Sequence, residues 1–189
     1  MSHADSWNQL LADCQSCTAC ELHKTRTNCV FGVGNTKADI LFVGEAPGEN
    51  EDKTGTPFVG RAGQLLDKFL FAVDIPREDV YIANILKCRP PKNRDPLPAE
   101  EDACMEFLRR QVRLLQPKII VCLGRISAMR LIKPDFKITK EHGEWFDRGS
   151  FQITAVYHPA LLLWDPRRKE EMLTDMKRIK EKLDALRGE

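Results

Sequence analysis

No apolar run in this 189-residue chain approaches the ~20 residues that a membrane-crossing helix needs, which argues against a helical membrane protein. The opening, MSHADSWNQL, has no basic stretch followed by an apolar one, so no secretory leader is expected and the cytoplasm is the expected compartment. An excess of one charge is also missing. Lys+Arg total 29 against 28 Asp+Glu, a net charge of +1, so no global field argues for or against a polyanionic partner. Internal repeats and low-complexity tracts are absent, which removes solenoids and flexible linkers. Phe31-Gly-Val-Gly34-Asn lacks both the third glycine and the preceding strand of a dinucleotide fingerprint, and reads as a turn into a strand. At 42% apolar and 30% charged residues, one globular domain over residues 1–189 is expected.

Cysteine is plentiful by comparison. Cys14, Cys17, Cys20, Cys29, Cys88, Cys104 and Cys122 sit in a chain for which no secretory leader is expected, and a reducing compartment would disfavour a disulfide framework, so metal ligation leads. Cys14-Gln-Ser-Cys17-Thr-Ala-Cys20 holds two overlapping C-x-x-C pairs, and spacing alone leaves open which pair serves a metal.

Apolar runs at 38–43, 80–83, 118–123 and 151–157 read as strands. The first is continuous, as in a strand covered on both faces, and the last alternates. Helical spacing marks residues 1–13, 64–73, 98–116, 125–131 and about 166–186, with Pro98 at a favoured first-turn position. Strand and helix alternate, so the expected fold is α/β: a three-layer α/β/α sandwich around a four-stranded, mainly parallel sheet. Ligands of such sheets lie beyond the carboxyl ends of the strands. That rule gathers the Gly-rich acidic loop of residues 44–58, Asn84 with the stiff basic segment Lys87–Pro98, Gly124-Arg125 and His158 at one edge.

Six segments, in order, carry a resemblance: Cys17-Thr-Ala-Cys20-Glu-Leu, Gly44-Glu-Ala-Pro-Gly-Glu49, Gly55-Thr-Pro-Phe-Val-Gly-Arg-Ala-Gly63, Val80-Tyr-Ile-Ala-Asn84, Lys87-Cys-Arg-Pro-Pro91 and Tyr157-His-Pro159. Together they resemble the iron–sulfur uracil-DNA glycosylases, often called family four, over nearly the whole chain. The resemblance implies a uracil-DNA glycosylase-like fold and hydrolysis of the N-glycosidic bond of uracil flipped out of DNA, leaving an abasic site. Phe58 would stack on the base, and Asn84 would pair with its edge. His158 would hydrogen-bond uracil O2 as charge develops there. Otherwise these three are a core phenylalanine, a turn cap and a satisfied structural histidine. Glu45, Ala46 and Gly48 would wall the sugar and water site, with Glu45 or Glu51 assisting the chemistry. Ala46 stands where some other glycosylase families carry a water-activating Asp.

Glu51 matches a position near uracil C5, and Asn93 another position close to the site. The resemblance assigns Cys17, Cys20, Cys88 and Cys104 to a [4Fe-4S] cluster, although four thiolates also suit zinc. Lys87 and Arg89 are expected to grip phosphate, and Leu161 and Leu162 to wedge into the base stack. The family usually continues His-Pro-Ala with Tyr-Leu-Leu-Arg; here Leu161-Leu-Leu-Trp164 follows, which removes an arginine. The expected partner is uracil-containing DNA, single- or double-stranded, bound by a monomer with no membrane. A uracil-DNA trap is disfavoured because no Arg- and His-rich insertion follows Gly63, and a redox protein would leave Phe58, Asn84 and His158 without purpose.

Overall fold

The computed structural model describes residues 2–188. In chain order it runs α1 (His3–Gln15), β1 (Val33–Gly34), β2 (Ile40–Gly44), α2 (Glu49–Thr54), α3 (Arg61–Ala72), β3 (Tyr81–Asn84) and α4 (Pro98–Leu115). It continues with β4 (Ile119–Leu123), α5 (Arg125–Leu131), α6 (Ile138–Glu141), β5 (Phe146–Asp147), β6 (Gln152–Val156), α7 (Pro159–Trp164) and α8 (Lys169–Arg187).

Alternation along the strands sorts side chains into two cores, as a period of two requires. Leu41, Val43, Tyr81, Ala83, Ile120 and Cys122 face one side, where Leu10 of α1, Met105 and Leu108 of α4 and Ala128 of α5 cover them. Ile40, Phe42, Ile82, Ile119 and Val121 face the other, under Leu66 and Phe69 of α3, Leu162 of α7 and Met176 and Ile179 of α8. Each buried Val, Leu, Ile, Phe or Met among them stabilises the fold by about 1.5–3 kcal/mol, so both faces must be layered. The three-layer sandwich stands.

The sheet has six strands in the order β1-β3-β2-β4-β6-β5, where the sequence predicts four. The central pairs β3–β2, β2–β4 and β4–β6 are parallel. The additional edges are two-residue antiparallel pieces, Val33–Gly34 on β3 and Phe146–Asp147 on β6, too short to show periodicity in a sequence. A second difference falls in the acidic loop, where residues 49–54 coil into α2 and end at Gly55 in the left-handed region. The last strand, read as alternating, is covered on both faces, and Thr154 is buried with the apolar residues.

Pairing register aligns the strand ends: Gly44 lies opposite Asn84, and Leu123 opposite Val156. After β2 the chain passes through α3 on one face to β3, then through α4 on the opposite face to β4 on the other side of β2. That reversal opens a crevice at the carboxyl ends, the usual place for a ligand in such sheets.

Candidate active site

A cleft of about 370 Å³ occupies this crevice, and among the residues around it are Glu45, Ala46, Gly48, Glu51, Phe58, Asn84, Asn93 and His158. Every catalytic and substrate-binding position expected from the sequence therefore lines one space. A wider groove of about 800 Å³ runs between α4 and α5, but none of these eight residues lines it.

Phe58 stands at the end of a turn with φ of +54°, unusual for a residue with a side chain. The turn is held from two sides. Glu51 Oε1 accepts the N–H groups of Val59 and Gly60, each at 3.1 Å, Arg77 Nη2 donates to Phe58 O at 3.2 Å, and Asp67 pairs with Arg77 in turn. A Cβ on Gly63 would fall 1.9 Å from Phe58 O, so the close approach of α3 requires glycine there. The Phe58 ring lies 5.7 Å from that of His158 with 30° between planes. Gly44 makes room at the floor, since a Cβ there would sit 2.4 Å from Asn84 Oδ1 and 2.7 Å from Phe58 Cζ.

Asn84 ends β3, is 2% exposed, and its Oδ1 has no hydrogen-bond partner. Leaving a buried amide oxygen unpaired costs about 1–3 kcal/mol, so an orphan lining a cleft points to a ligand that supplies a donor. His158 caps α7 by accepting the Ala160 N–H on Nδ1 at 3.0 Å, which places its proton on Nε2. Protein packed about the ring lowers its pKa to about 4, with the Glu51 carboxylate opposing, so the imidazole is neutral near pH 7. The site thus presents a neutral N–H donor. Burial, followed by the Asp95 carboxylate, raises Glu45 to about 7 against the pull of Arg125.

Around the rim, Asn93 Oδ1 accepts Arg89 Nε at 2.8 Å, and Arg94 clamps Glu100 with two bonds of 3.0 and 2.6 Å. Arg94 also lines the cleft, a position the sequence reading passed over although it directly follows Asn93. Two expected DNA contacts need correction. Lys87 is 1% exposed, and its ammonium donates to Phe31 O at 3.1 Å, Asn84 O at 2.9 Å and Gln111 Oε1 at 2.7 Å. A loop of cations suggested phosphate, but this one faces the core. Leu162 is fully buried against α3 and α8, so Leu161 alone of that pair reaches the surface.

Cys17, Cys20, Cys88 and Cys104 line a separate small cavity together with Cys14 and Cys29. N–H groups already point at three of the sulfurs: Ala19 N to Cys17 at 3.4 Å, Arg26 Nη1 to Cys88 at 3.1 Å and Lys87 N to Cys104 at 3.2 Å. Donors of that kind suit thiolates, so the donor set fits a thiolate-ligated group. Among the described residues, no three His, Cys, Asp or Glu side chains are arranged to hold a metal ion, and burial raises the pKa of the Cys104 thiol to about 11. Cys14 and Cys29, outside the ligand set that the resemblance assigns, face each other across 3.2 Å between sulfurs. Ala46 packs against the apolar wall of this cavity as well as lining the cleft, so only a thin layer separates the two spaces.

An aromatic face, an unpaired amide and a neutral imidazole thus meet at the carboxyl ends of a parallel sheet, a set of groups whose chemistry suits a planar polar ring. The Uracil DNA glycosylase superfamily model matches residues 31–183. The chain is 46% identical over 185 residues to the Type-4 uracil-DNA glycosylase of Archaeoglobus fulgidus, covering 94% of this chain and 93% of that one. It is 49% identical over 151 residues to the Type-4 uracil-DNA glycosylase of Thermotoga maritima, covering 79% of each. With the Type-4 enzyme of Sulfurisphaera tokodaii it shares 43% identity over 186 residues, 94% of this chain and 84% of the other. The chain belongs to the uracil-DNA glycosylase superfamily and, within it, to the type-4 family.

Proposed function

We propose that this protein is a monofunctional uracil-DNA glycosylase that hydrolyses the bond between C1′ and uracil N1 and leaves an abasic site. The unpaired Asn84 Oδ1, buried beside Phe58 and His158, carries the reading. Uracil offers N3–H to that oxygen, whereas cytosine offers a lone pair at N3, so the wrong base leaves two acceptors opposed at a cost of a few kcal/mol. Phe58 supplies the stacking face. The His158 Nε2–H donates to O2 as the bond to C1′ breaks and negative charge gathers on the leaving base. A neutral imidazole suits that role, because it stabilises the anion without transferring a proton.

Water then adds at C1′ from the side walled by Glu45, Ala46 and Gly48. Ionised Glu45 favours the cationic sugar electrostatically, and its raised pKa makes this contribution rise with pH. Cys17, Cys20, Cys88 and Cys104 are the residues that would hold a [4Fe-4S] cluster, which would supply a structural link between the amino-terminal segment and the loop bearing Arg89 and Asn93. The test is incubation with uracil-containing single- and double-stranded oligonucleotides followed by alkali. Cleavage at uracil, with matched cytosine and thymine strands intact, is expected; intact uracil strands would overturn the proposal.

A further inference from the structure

Trp164 is 88% exposed and Leu161 40% exposed, on a helix that begins directly after His158. Positions three apart share a helical face, so the two form one apolar strip opposite the buried Leu162. At 1.5 Å per residue, Trp164 lies about 9 Å along the helix from His158. The other tryptophans are engaged: Trp7 packs edge-on against Phe31 and Tyr81, and Trp145 carries the Lys182 ammonium over its ring. Among the described residues, Trp164 has neither a ring nor a cation partner of this kind. The turn after it carries the exposed Arg167, held by Asp165 at 2.8 Å.

His158 and Ala160 line the cleft, so the short helix that ends at this open indole starts from the cleft wall. The indole's distance from His158 fits a base one to three nucleotides along the same strand, at about 3.4 Å per stacked nucleotide. We infer that Trp164 is a stacking subsite for a nucleobase flanking the flipped one. This inference rests on the uracil-DNA reading and adds to it the mode of binding beyond the pocket. Every base has a π-face, so the subsite tolerates any sequence, and it contributes more on a single strand, where flanking bases are free to turn onto the indole.

The test compares wild type, Trp164→Ala and Trp164→Phe for binding to an oligonucleotide whose deoxyuridine carries a 2′-fluorine and resists hydrolysis. On the single strand the Ala variant should bind roughly 5- to 100-fold more weakly and the Phe variant within about threefold of wild type, with a smaller Ala effect on the duplex. The kcat at saturating uracil-containing DNA should stay within about twofold. Replacing flanking bases one at a time by abasic residues should weaken wild type at one position and leave Trp164→Ala indifferent there. Equal affinity of the Ala variant and wild type, or equal sensitivity of both to every abasic position, would overturn the inference. A wild-type protein that releases no uracil would sink the underlying reading instead, so the two failures are distinct.

Discussion

Replacing Lys87 by methionine removes a charge that sequence inspection assigns to DNA and the structure places in the core. Its ammonium serves three acceptors, at 3.1, 2.9 and 2.7 Å. Phe31 O keeps the Gln111 Nε2 donor at 2.9 Å, so the loss falls on Asn84 O and Gln111 Oε1. Two acceptors losing a buried donor cost about 2–6 kcal/mol, while removing a desolvated ammonium returns several kcal/mol. The two effects oppose, and the expected net destabilisation is at most about 3 kcal/mol, read as a fall in Tm of no more than roughly 12 °C for a chain of this size. Freed from behind, Asn84 should hold uracil less well, lowering kcat/KM about tenfold, or about 1.4 kcal/mol. The salt dependence of DNA binding decides between the two placements: its logarithmic slope should be unchanged, whereas loss of a phosphate contact would reduce it by about 0.9. A variant with wild-type Tm and kcat at saturating DNA, but a shallower salt slope, would refute the core placement.

Glu45, with its pKa raised to about 7, should make kcat/KM rise as pH increases through 7, and Glu45→Gln should flatten that limb in a pH–rate profile. His158 titrates at about 4, so its protonation should leave the profile untouched above about pH 5; His158→Ala should cost roughly 10²–10³ in kcat at every pH measured. Gly44→Ala drives a methyl toward Asn84 Oδ1 and Phe58 Cζ, and kcat/KM on uracil strands should fall at least about tenfold while circular dichroism stays that of wild type. Cys88→Ser should reduce bound iron and acid-labile sulfide and lower Tm; unchanged iron content and visible absorption would remove Cys88 from the ligand set.

The layered fold was legible because strands buried on both faces and helices buried on one leave different periods in the sequence. Ile40 to Val43 and Ile119 to Leu123 read correctly for that reason. The edges β1 and β5 left no such trace, since two residues cannot display a period. The rule that ligands gather at carboxyl ends brought Phe58, Asn84 and His158 together before any coordinates, and the cleft contains all three. The two misplaced DNA contacts share a cause. Lys87 takes its expected role from the basic loop around it and Leu162 from the resemblance, whereas burial is set by which way each side chain leaves the backbone. Lys87 lies three residues beyond Asn84, where its Nζ turns back under the strand end to reach Asn84 O.

Those contacts explain how the site stays in place while part of it is unsatisfied. Without a base, the cleft contains an amide oxygen with no partner and a phenylalanine at positive φ, each unfavourable by about 1–3 kcal/mol. Left alone, both would relax, Asn84 by turning toward another donor and Phe58 by unwinding its turn. The Lys87 ammonium fixes the Asn84 carbonyl from behind, and Arg77 with Glu51 fixes both sides of the Phe58 turn. Gly44 and Gly63 then let ring, amide and backbone approach where any side chain would force them apart. On the proposed reading, uracil brings the donor that the Asn84 oxygen lacks and a face for the Phe58 ring, while the turn stays held at its positive φ. Cytosine brings the face without the donor. Selectivity on this account depends on the rigidity of the anchors as much as on Asn84 itself, because a loosened amide could rotate to satisfy either base.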